Sequence, residues 1–404
     1  MSNLAIIAEF NPFHNGHNYL LNKAKSRVNP DYTYALMSGN FVQRGEPAIF
    51  EKYTRAAAAV CAGFDAVFEL PAFYALGSAR DFADGAISLL NKTGSTDYLA
   101  FGVETEDYSL FNIVSTILAE EPETFKYHLK THLANGESFP LARCHAIEEL
   151  AEFSVTDFLT LPNNILALSY MTALKKTHSK IKPILIKRTD VDHDSNEFTK
   201  NYASARLIRE NLARNLPVDR FIPPDSYNSI KKMFSSPLTP DVYLKLLSFA
   251  ITEAKIYRDA SSLQIWDISE DLMNRFSKAN TTYTYNELCN FLKTRNETMS
   301  HIHRACMHLL LRFTDNEHNI IQQERPGYLN LLSLKSSSSE LIRMIQENSS
   351  IPVITKKSAF MPSSHASKVM WAADQRATAL YQSLLFQSNL AVIPSELSST
   401  VKVI

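Results

Sequence analysis

Glycine is scarce in this chain, at ten of 404 residues, and tryptophan occurs twice. Where glycine stands it therefore answers a backbone need. None of the four cysteines falls in a Cys-x-x-Cys spacing. Cys61, Cys144, Cys289 and Cys306 lie far apart in apolar helical surroundings, the pattern of reduced core thiols rather than of disulfides or a zinc site. An excess of one charge is missing too, since 41 Lys and Arg stand against 42 Asp and Glu. With 45% hydrophobic and 21% charged residues the composition excludes a disordered polyelectrolyte, and any nucleic-acid contact must come from local patches. No apolar run approaches the ~20 residues of a membrane span. The opening MSNLAIIAEFNPFH has no cationic n-region and breaks at Glu9, so neither a signal sequence nor a membrane location is expected, and the cytoplasm is.

What is present is an alternation of short apolar runs with helical patterns over the first hundred residues, the signature of βαβ units and a parallel sheet. Leu4–Ala8, Tyr32–Met37, Ala66–Leu70 and Tyr98–Phe101 read as strands, the last ending at Gly102, and Pro183–Ile186 as a fifth. His17–Arg27, Lys52–Ala62 and Arg80–Leu90 read as the helices between them. Leu110–Phe153 turns helical, and Leu161–Lys176 is a further helix, entered through Pro162-Asn163-Asn164 where asparagine can cap. A polar loop, Thr189–Asn196, precedes a helix over Ser204–Asn215. Pro217, Pro223-Pro224 and Ser235-Ser236-Pro237 mark a boundary. The expected organisation is a nucleotide-binding domain over 1–216, a linker over 217–240, and a helical domain over 241–404 made of short amphipathic helices with a serine-rich turn at Ser336–Ser339.

The most informative stretch is Phe10-Asn11-Pro12-Phe13-His14-Asn15-Gly16-His17, which follows the first strand and opens the first helix. In open α/β sheets ligands bind beyond the carboxyl ends of strands, where helix N-termini offer unpaired N–H groups to phosphate. His14 and His17 can donate ring N–H groups to phosphate oxygens and to charge developing during in-line attack, while Gly16 lets the backbone come close. Ser38-Gly39-Asn40-Phe41-Val42-Gln43-Arg44-Gly45 follows the second strand toward the same crevice, and Ser38, Asn40, Gln43 and Arg44 are candidate substrate contacts. Lys52 and Arg55 stand on the first turns of the next helix, where the macrodipole disfavours cations unless an anion is near; a solvated helix face is the competing reading.

These motifs resemble the HIGH-type nucleotidyltransferases and, more closely, the bacterial tRNA(Met) cytidine acetate ligase family. The likeness runs through IAEFNPFHNGHNYLL, MSGNFVQRGEPAIFEKYTRAAAAV, ELP (Glu69–Pro71), GSARDFADGA, FGVE (Phe101–Glu104), LPNNILALSY and IKR (Ile186–Arg188), in order over about the first 210 residues. It implies a Rossmann-like parallel sheet of the HIGH type followed by a mainly α-helical carboxy-terminal domain. It also implies an enzyme that activates acetate with ATP as acetyl-adenylate and passes acetyl to the wobble cytidine of elongator tRNA(Met), giving N4-acetylcytidine. By the resemblance, Ile7, Ala8, Glu9, Phe10, Asn11, Pro12, Phe13, His14, Asn15, Gly16, His17, Asn18, Tyr19 and Leu20 attend ATP, with His14 and His17 on its phosphates, and Gly102, Asn163 and Arg188 complete the nucleotide site. Tyr202–Arg209 resembles the second superfamily signature, departing from it at Ala205 and Arg206; Ser204 and Arg209 keep its hydroxyl and guanidinium. Magnesium is expected on the triphosphate, held mainly by phosphates and water, with no metal ligand assigned in the chain.

For tRNA the candidate track is Lys293, Arg295, His301, His303, Arg304, His308 and Arg312, with Glu297 the acid among them and Lys356 and Lys357 in reserve. The family pattern is broken at Asn296-Glu297 and at Asn330, where basic or aromatic residues are expected. No membrane or protein partner is expected. Two alternatives stand beside the ligase: an adenylyltransferase acting on a small mononucleotide, and a non-catalytic ATP-binding, RNA-binding protein.

Overall fold

Strand β1 (Asn3–Ala8) shows why the sheet is two-sided, because Leu4 and Ile6 pack on one face with Leu21, Ala24 and Ala59 while Ala5 and Ile7 pack on the other with Phe82, Ala86 and Leu174. After Asn3 every residue of the strand is apolar, since helices cover both faces. The computed structural model describes residues 1–151, 153–188, 201–231, 238, 240–256, 264–280, 282–295, 297–325, 327–388 and 393–404. Its remaining strands are β2 (Tyr32–Ser38), β3 (Phe41–Val42), β4 (Glu46–Pro47), β5 (Ala66–Leu70), β6 (Tyr98–Val103), β7 (Lys182–Lys187), β8 (Leu329–Leu334), β9 (Val353–Ile354) and β10 (Lys402–Val403). The main sheet runs β10-β8-β5-β2-β1-β6-β7, with β9 beside β8, and β3 and β4 form a separate hairpin. Strands β5, β2, β1, β6 and β7 are mutually parallel, as expected for consecutive βαβ units.

The chain builds outward from β1 through β2 to β5 and then returns to place β6 on the other side of β1. That reversal opens a crevice at the carboxyl ends of β1 and β6, the place where doubly wound sheets hold ligands. The helix Asn15–Val28 starts at its mouth, and the helix Pro162–Lys176 closes the β6 side.

The carboxy-terminal stretch is mainly helical, yet it also completes the sheet. β8 pairs antiparallel with β5, and β9 and β10 pair parallel with β8, where the sequence reading has only helices and turns. LNLLSL is an apolar run of strand length, and periodicity alone does not separate a doubly buried strand from a buried helical segment. The last helix, His365–Gln387, spans 23 residues rather than a short amphipathic turn or two. The sheet thus draws strands from both sides of the expected division at 217–240. Ser235-Ser236-Pro237 and the loop Thr189–Asn196 lie outside the described residues.

Candidate functional site

The turn after β1 is pinned by its own imidazoles. His14 is the N-cap of the helix Asn15–Val28; its Nδ1 accepts from the Gly16 N–H at 3.0 Å, and the His17 Nδ1 accepts from the His14 N–H at 3.3 Å. This reciprocal capping box satisfies two orphan donors of the first turn. It also fixes the tautomers, since a ring nitrogen that accepts carries no proton, so both rings hold theirs on Nε2. The two rings stack at 3.8 Å between centroids, and His17 packs edge-on to Phe10 at 5.0 Å. Burial, reinforced by the nearby Arg188 charge, pushes His17 down to about 3, so it works as a neutral donor. A Cβ on Gly16 would come within 2.8 Å of His14 Cε1, so the ring itself requires glycine there. Within Ile7–Leu20, Phe10 and Phe13 are fully buried against Phe64 and hold the turn from beneath. Phe10 does so at φ +45°, a left-handed conformation that costs a bulky residue ~1–3 kcal/mol. Asn15, Asn18 and Tyr19 face outward and, with Asn201 and Tyr202, line a cleft of about 510 Å³.

Gly102, Asn163 and Arg188 meet on the β6 side of the crevice. A Cβ on Gly102 would touch Arg188 Cγ at 3.3 Å, and Arg188 Nη1 donates to Asn163 Oδ1 at 3.3 Å. Glu104 organises them, a role that sequence reasoning missed and for which the shared FGVE is the one signal. Its carboxylate accepts from the Asn163 N–H at 3.1 Å and the Asn164 N–H at 2.8 Å, so Glu104 rather than an asparagine side chain caps the helix Pro162–Lys176. Burial works against the Arg188 charge; Glu104 favours it and Arg44 opposes it. A cation so placed is suited to receive an anion. On the third side, Ser204 caps its helix by accepting from the Leu207 N–H at 3.1 Å. Arg209 reaches back to the Asn11 carbonyl at 2.9 Å and to Glu46 at 3.1 Å. Arg209 therefore braces the His14 turn in this structure, while Ser204 caps its own helix.

The loop after β2 reaches the same place. The Gln43 N–H donates to Glu9 Oε1 at 2.9 Å, and Arg44 is exposed beside Glu9 and Arg188. Burial pushes the Glu9 carboxyl up, with Arg44 and that N–H pulling it back. Ser38 and Asn40 are buried, Asn40 Oδ1 accepting from the Lys52 N–H at 2.9 Å. Ser38 Oγ, Asn40 Nδ2 and Asn11 Nδ2 are buried polar atoms without a hydrogen-bond partner among the described residues. A solvated face for Lys52 and Arg55 is overturned, because both are 1% exposed. Arg55 fastens the carbonyls of Phe50, Glu9, Ser38 and Gly39, tying the ends of β1 and β2 together. Lys52 Nζ sits between Glu69, at 2.7 and 2.8 Å, and Glu396, at 2.6 Å.

The basic track on the helix Met299–Leu311 is less exposed than its spacing suggests. His308 is buried, its Nδ1 and Nε2 each 3.0 Å from a carbonyl oxygen, of Trp266 and Leu76, and burial pushes it down to about 4. Arg304 is buried with its backbone against Gly45, where a Cβ would come within 2.3 Å of Arg304 N. Lys357 is buried as well, over the Tyr53 ring. Lys293, Arg295 and Arg312 are exposed, Arg312 paired with Glu253. Asn330 lies inside the sheet, donating to Glu69 at 2.6 Å, and Asn296 lies outside the described residues.

Three comparisons bear on this arrangement. The family model described as HIGH Nucleotidyl Transferase matches residues 1–392. The chain is 37% identical over 400 residues to the tRNA(Met) cytidine acetate ligase of Alkaliphilus metalliredigens, covering 94% of this chain and 93% of that one. It is 37% identical over 362 residues to the tRNA(Met) cytidine acetate ligase of Thermosipho melanesiensis, covering 89% and 85%. The crystal structure of Thermotoga maritima TmcAL bound with alpha-thio ATP superposes with a TM-score of 0.88 at 28% identity, and an apo form of TmcAL with 0.91 at 27%, each covering the whole of both chains.

Proposed function

Because the chain belongs to the HIGH nucleotidyltransferases and, within them, to the tRNA(Met) cytidine acetate ligase family, we propose that it activates acetate with ATP and acetylates the wobble cytidine of elongator tRNA(Met). The observation that carries the reading is the reciprocal His14–His17 box at the β1/β6 crevice with the Arg188 guanidinium beside it. Two neutral imidazoles present Nε2–H donors, and Arg188 supplies the charge, so phosphate oxygens meet directed donors and one cation.

In the first half-reaction an acetate oxygen attacks the α-phosphorus in line and pyrophosphate leaves. Acetate is already ionised near neutral pH, so the step needs placement and charge neutralisation more than a base. Ser38, Asn40 and Asn11, with their unpartnered buried polar atoms, are suited to position acetate or the cytidine edge, and Gln43 and Arg44 flank the entry. In the second half-reaction the exocyclic amine attacks the acetyl carbonyl, AMP leaves with the adenylate oxygen, and the amine gives up a proton. Magnesium would neutralise triphosphate charge, held by phosphate oxygens and water. Among the described residues at the crevice, Glu9 is engaged by the Gln43 N–H and Glu104 by those of Asn163 and Asn164, which fits a metal that arrives with the nucleotide. Lys293 and Arg295 are the exposed cations proposed to meet the tRNA backbone.

The test is incubation of the protein with ATP, labelled acetate and elongator tRNA(Met), followed by mass analysis of the nucleosides. N4-acetylcytidine with stoichiometric AMP is expected. Absence of both that product and acetate-dependent pyrophosphate exchange would overturn the proposal.

A further inference from the structure

Away from the crevice, two antiparallel helices, Glu123–Ala134 and Phe139–Ala151, form a hairpin closed by a turn in which Gly136 adopts φ +84°. His128 and His132 stand four residues apart on the first helix, and His145 and Glu149 stand four apart on the second. Such i,i+4 pairs share a helix face. The turn contributes Glu137, whose two carboxylate oxygens lie 3.0 Å from His132 Nδ1 and 2.9 Å from His145 Nδ1. One ligand atom from each of His132, Glu137 and His145 lies within 4.8 Å of the others. Nothing in the proposed ligase chemistry uses this group.

We propose that His132 Nδ1, His145 Nδ1 and a Glu137 oxygen bind one zinc-like divalent transition-metal ion, clamping the helical hairpin. Two imidazoles and a carboxylate are a donor set such ions take, with water in the fourth position. Tetrahedral zinc with bonds of about 2.0–2.2 Å sets neighbouring ligand atoms roughly 3.3–3.5 Å apart. The two His–Glu separations are a few tenths of an ångström shorter than this, each to a different Glu137 oxygen, and all three donors lie within 4.8 Å of one another, so admitting the ion takes a side-chain adjustment that brings both rings to one oxygen. The surroundings carry the orienting partner that ligating histidines ordinarily have. His132 Nε2 lies 3.2 Å from Glu149 Oε1, and the other Glu149 oxygen meets His128 Nδ1. Ligation through Nδ1 leaves the His132 proton on Nε2, donated to Glu149. Ligation needs each Nδ1 free of its proton, so a proton held there against Glu137 either leaves to solvent or moves to Nε2 when the ion binds, and metal bonds replace the N–H···O bonds.

The experiment titrates zinc into the untagged, metal-stripped full-length protein by calorimetry in two buffers of different ionisation enthalpy. One zinc per chain, with proton release and a raised melting temperature, is expected. His145→Ala and Glu137→Gln should each weaken binding by more than the roughly 10–100-fold expected for Glu149→Gln, which removes only the orienting carboxylate. Acetate-dependent pyrophosphate exchange, which does not involve the hairpin, should be unchanged and reports that the variants are folded. Cobalt added to the parent gives a second readout independent of any substitution, the visible bands of a tetrahedral site. No stoichiometric zinc, affinity in His145→Ala and Glu137→Gln equal to the parent, or an octahedral cobalt spectrum would each overturn the site and leave ordinary His–Glu ion pairs.

Discussion

Replacing Lys52 by methionine tests whether the interior charge cluster holds the carboxy-terminal segment onto the sheet. Lys52 Nζ is the cation between Glu69 on β5 and Glu396, all three nearly sealed from water. Asn330 of β8 and Thr378 of the long helix hydrogen-bond the same two carboxylates, so chain from both ends of the sequence converges there. Burial pushes Glu69 up to about 8 even with Lys52 present, and Glu396 is held down by Lys52 and Lys357 against its own burial. Methionine fills similar volume and removes the charge, leaving a carboxylate without its partner. Breaking a buried pair on one side costs about 3–5 kcal/mol, measurable as a lowered urea midpoint followed by the fluorescence of buried Trp266 and Trp371. The sign of the pH dependence follows. In the variant the folded pKa of Glu69 rises further, so its loss relative to the parent is complete above the variant's folded pKa and fades as pH falls through the parent's folded value, below which both folded forms hold the carboxyl protonated. Adding Glu69→Gln should restore most of the loss, because the amide oxygen still accepts from Asn330. A variant within ~1 kcal/mol of the parent at a pH above the parent's folded Glu69 value, or a double variant whose losses simply add, would refute the reasoning.

Further outcomes can be measured independently. His17→Asn keeps an oxygen able to accept from the His14 N–H but removes the Nε2–H donor; adenylate formation should fall by roughly 10²–10³ with the melting temperature nearly unchanged, read by acetate-dependent pyrophosphate exchange. Acid should destabilise the fold through His308 and His17, whose folded values of about 4 and about 3 lie below the ordinary 6.5. Below pH 6.5 the unfolded chain takes protons that the folded chain refuses, so stability declines from there toward about 4 for His308 and about 3 for His17, and urea midpoints for His308→Gln should show a shallower decline. Gly45→Ala places a Cβ within 2.3 Å of Arg304 N at φ +77°, and should cost about 1–3 kcal/mol by the same unfolding assay. Lys293→Glu with Arg295→Glu should weaken tRNA binding and lower the salt slope of its affinity by roughly 1–2 while leaving pyrophosphate exchange intact.

The parallel half of the sheet was legible because its strands are short apolar runs separated by amphipathic helices, and each strand from β1 to β7 in that half lies within a residue or two of its expected limits. The crevice was legible because a His-x-Gly-His turn directly follows β1. β8 was not, since Leu329–Leu334 pairs antiparallel with β5 across more than 250 residues and nothing local announces a distant partner. Lys52 and Arg55 were open in the sequence. Their positions on the first helical turns allow either a solvated face or a nearby anion, and the groups that decide it, Glu396 and the carbonyls of Glu9 and Ser38, arrive from elsewhere in the chain. The same holds for His308 and Arg304, basic by type and interior by packing.

The bonds that hold the His14 turn in shape also set its chemistry. Each Nδ1 is consumed by a backbone N–H, which forces the proton to Nε2 and aims both rings with one pattern of contacts. Phe10 and Phe13 then bury the underside, so the rings cannot turn over to expose the accepting nitrogen without opening the aromatic cluster with Phe64. A lysine in either place would bring charge but not direction, and a protonated histidine would lose the cap. Neutrality of His17 is therefore a structural requirement, and the positive charge that a phosphate needs must come from outside the turn. Arg188, half-buried beside His17 and near Glu104, is the residue placed to supply it. Stability and phosphate recognition thus make the same demand on this turn, which is why its residue types are so sharply limited.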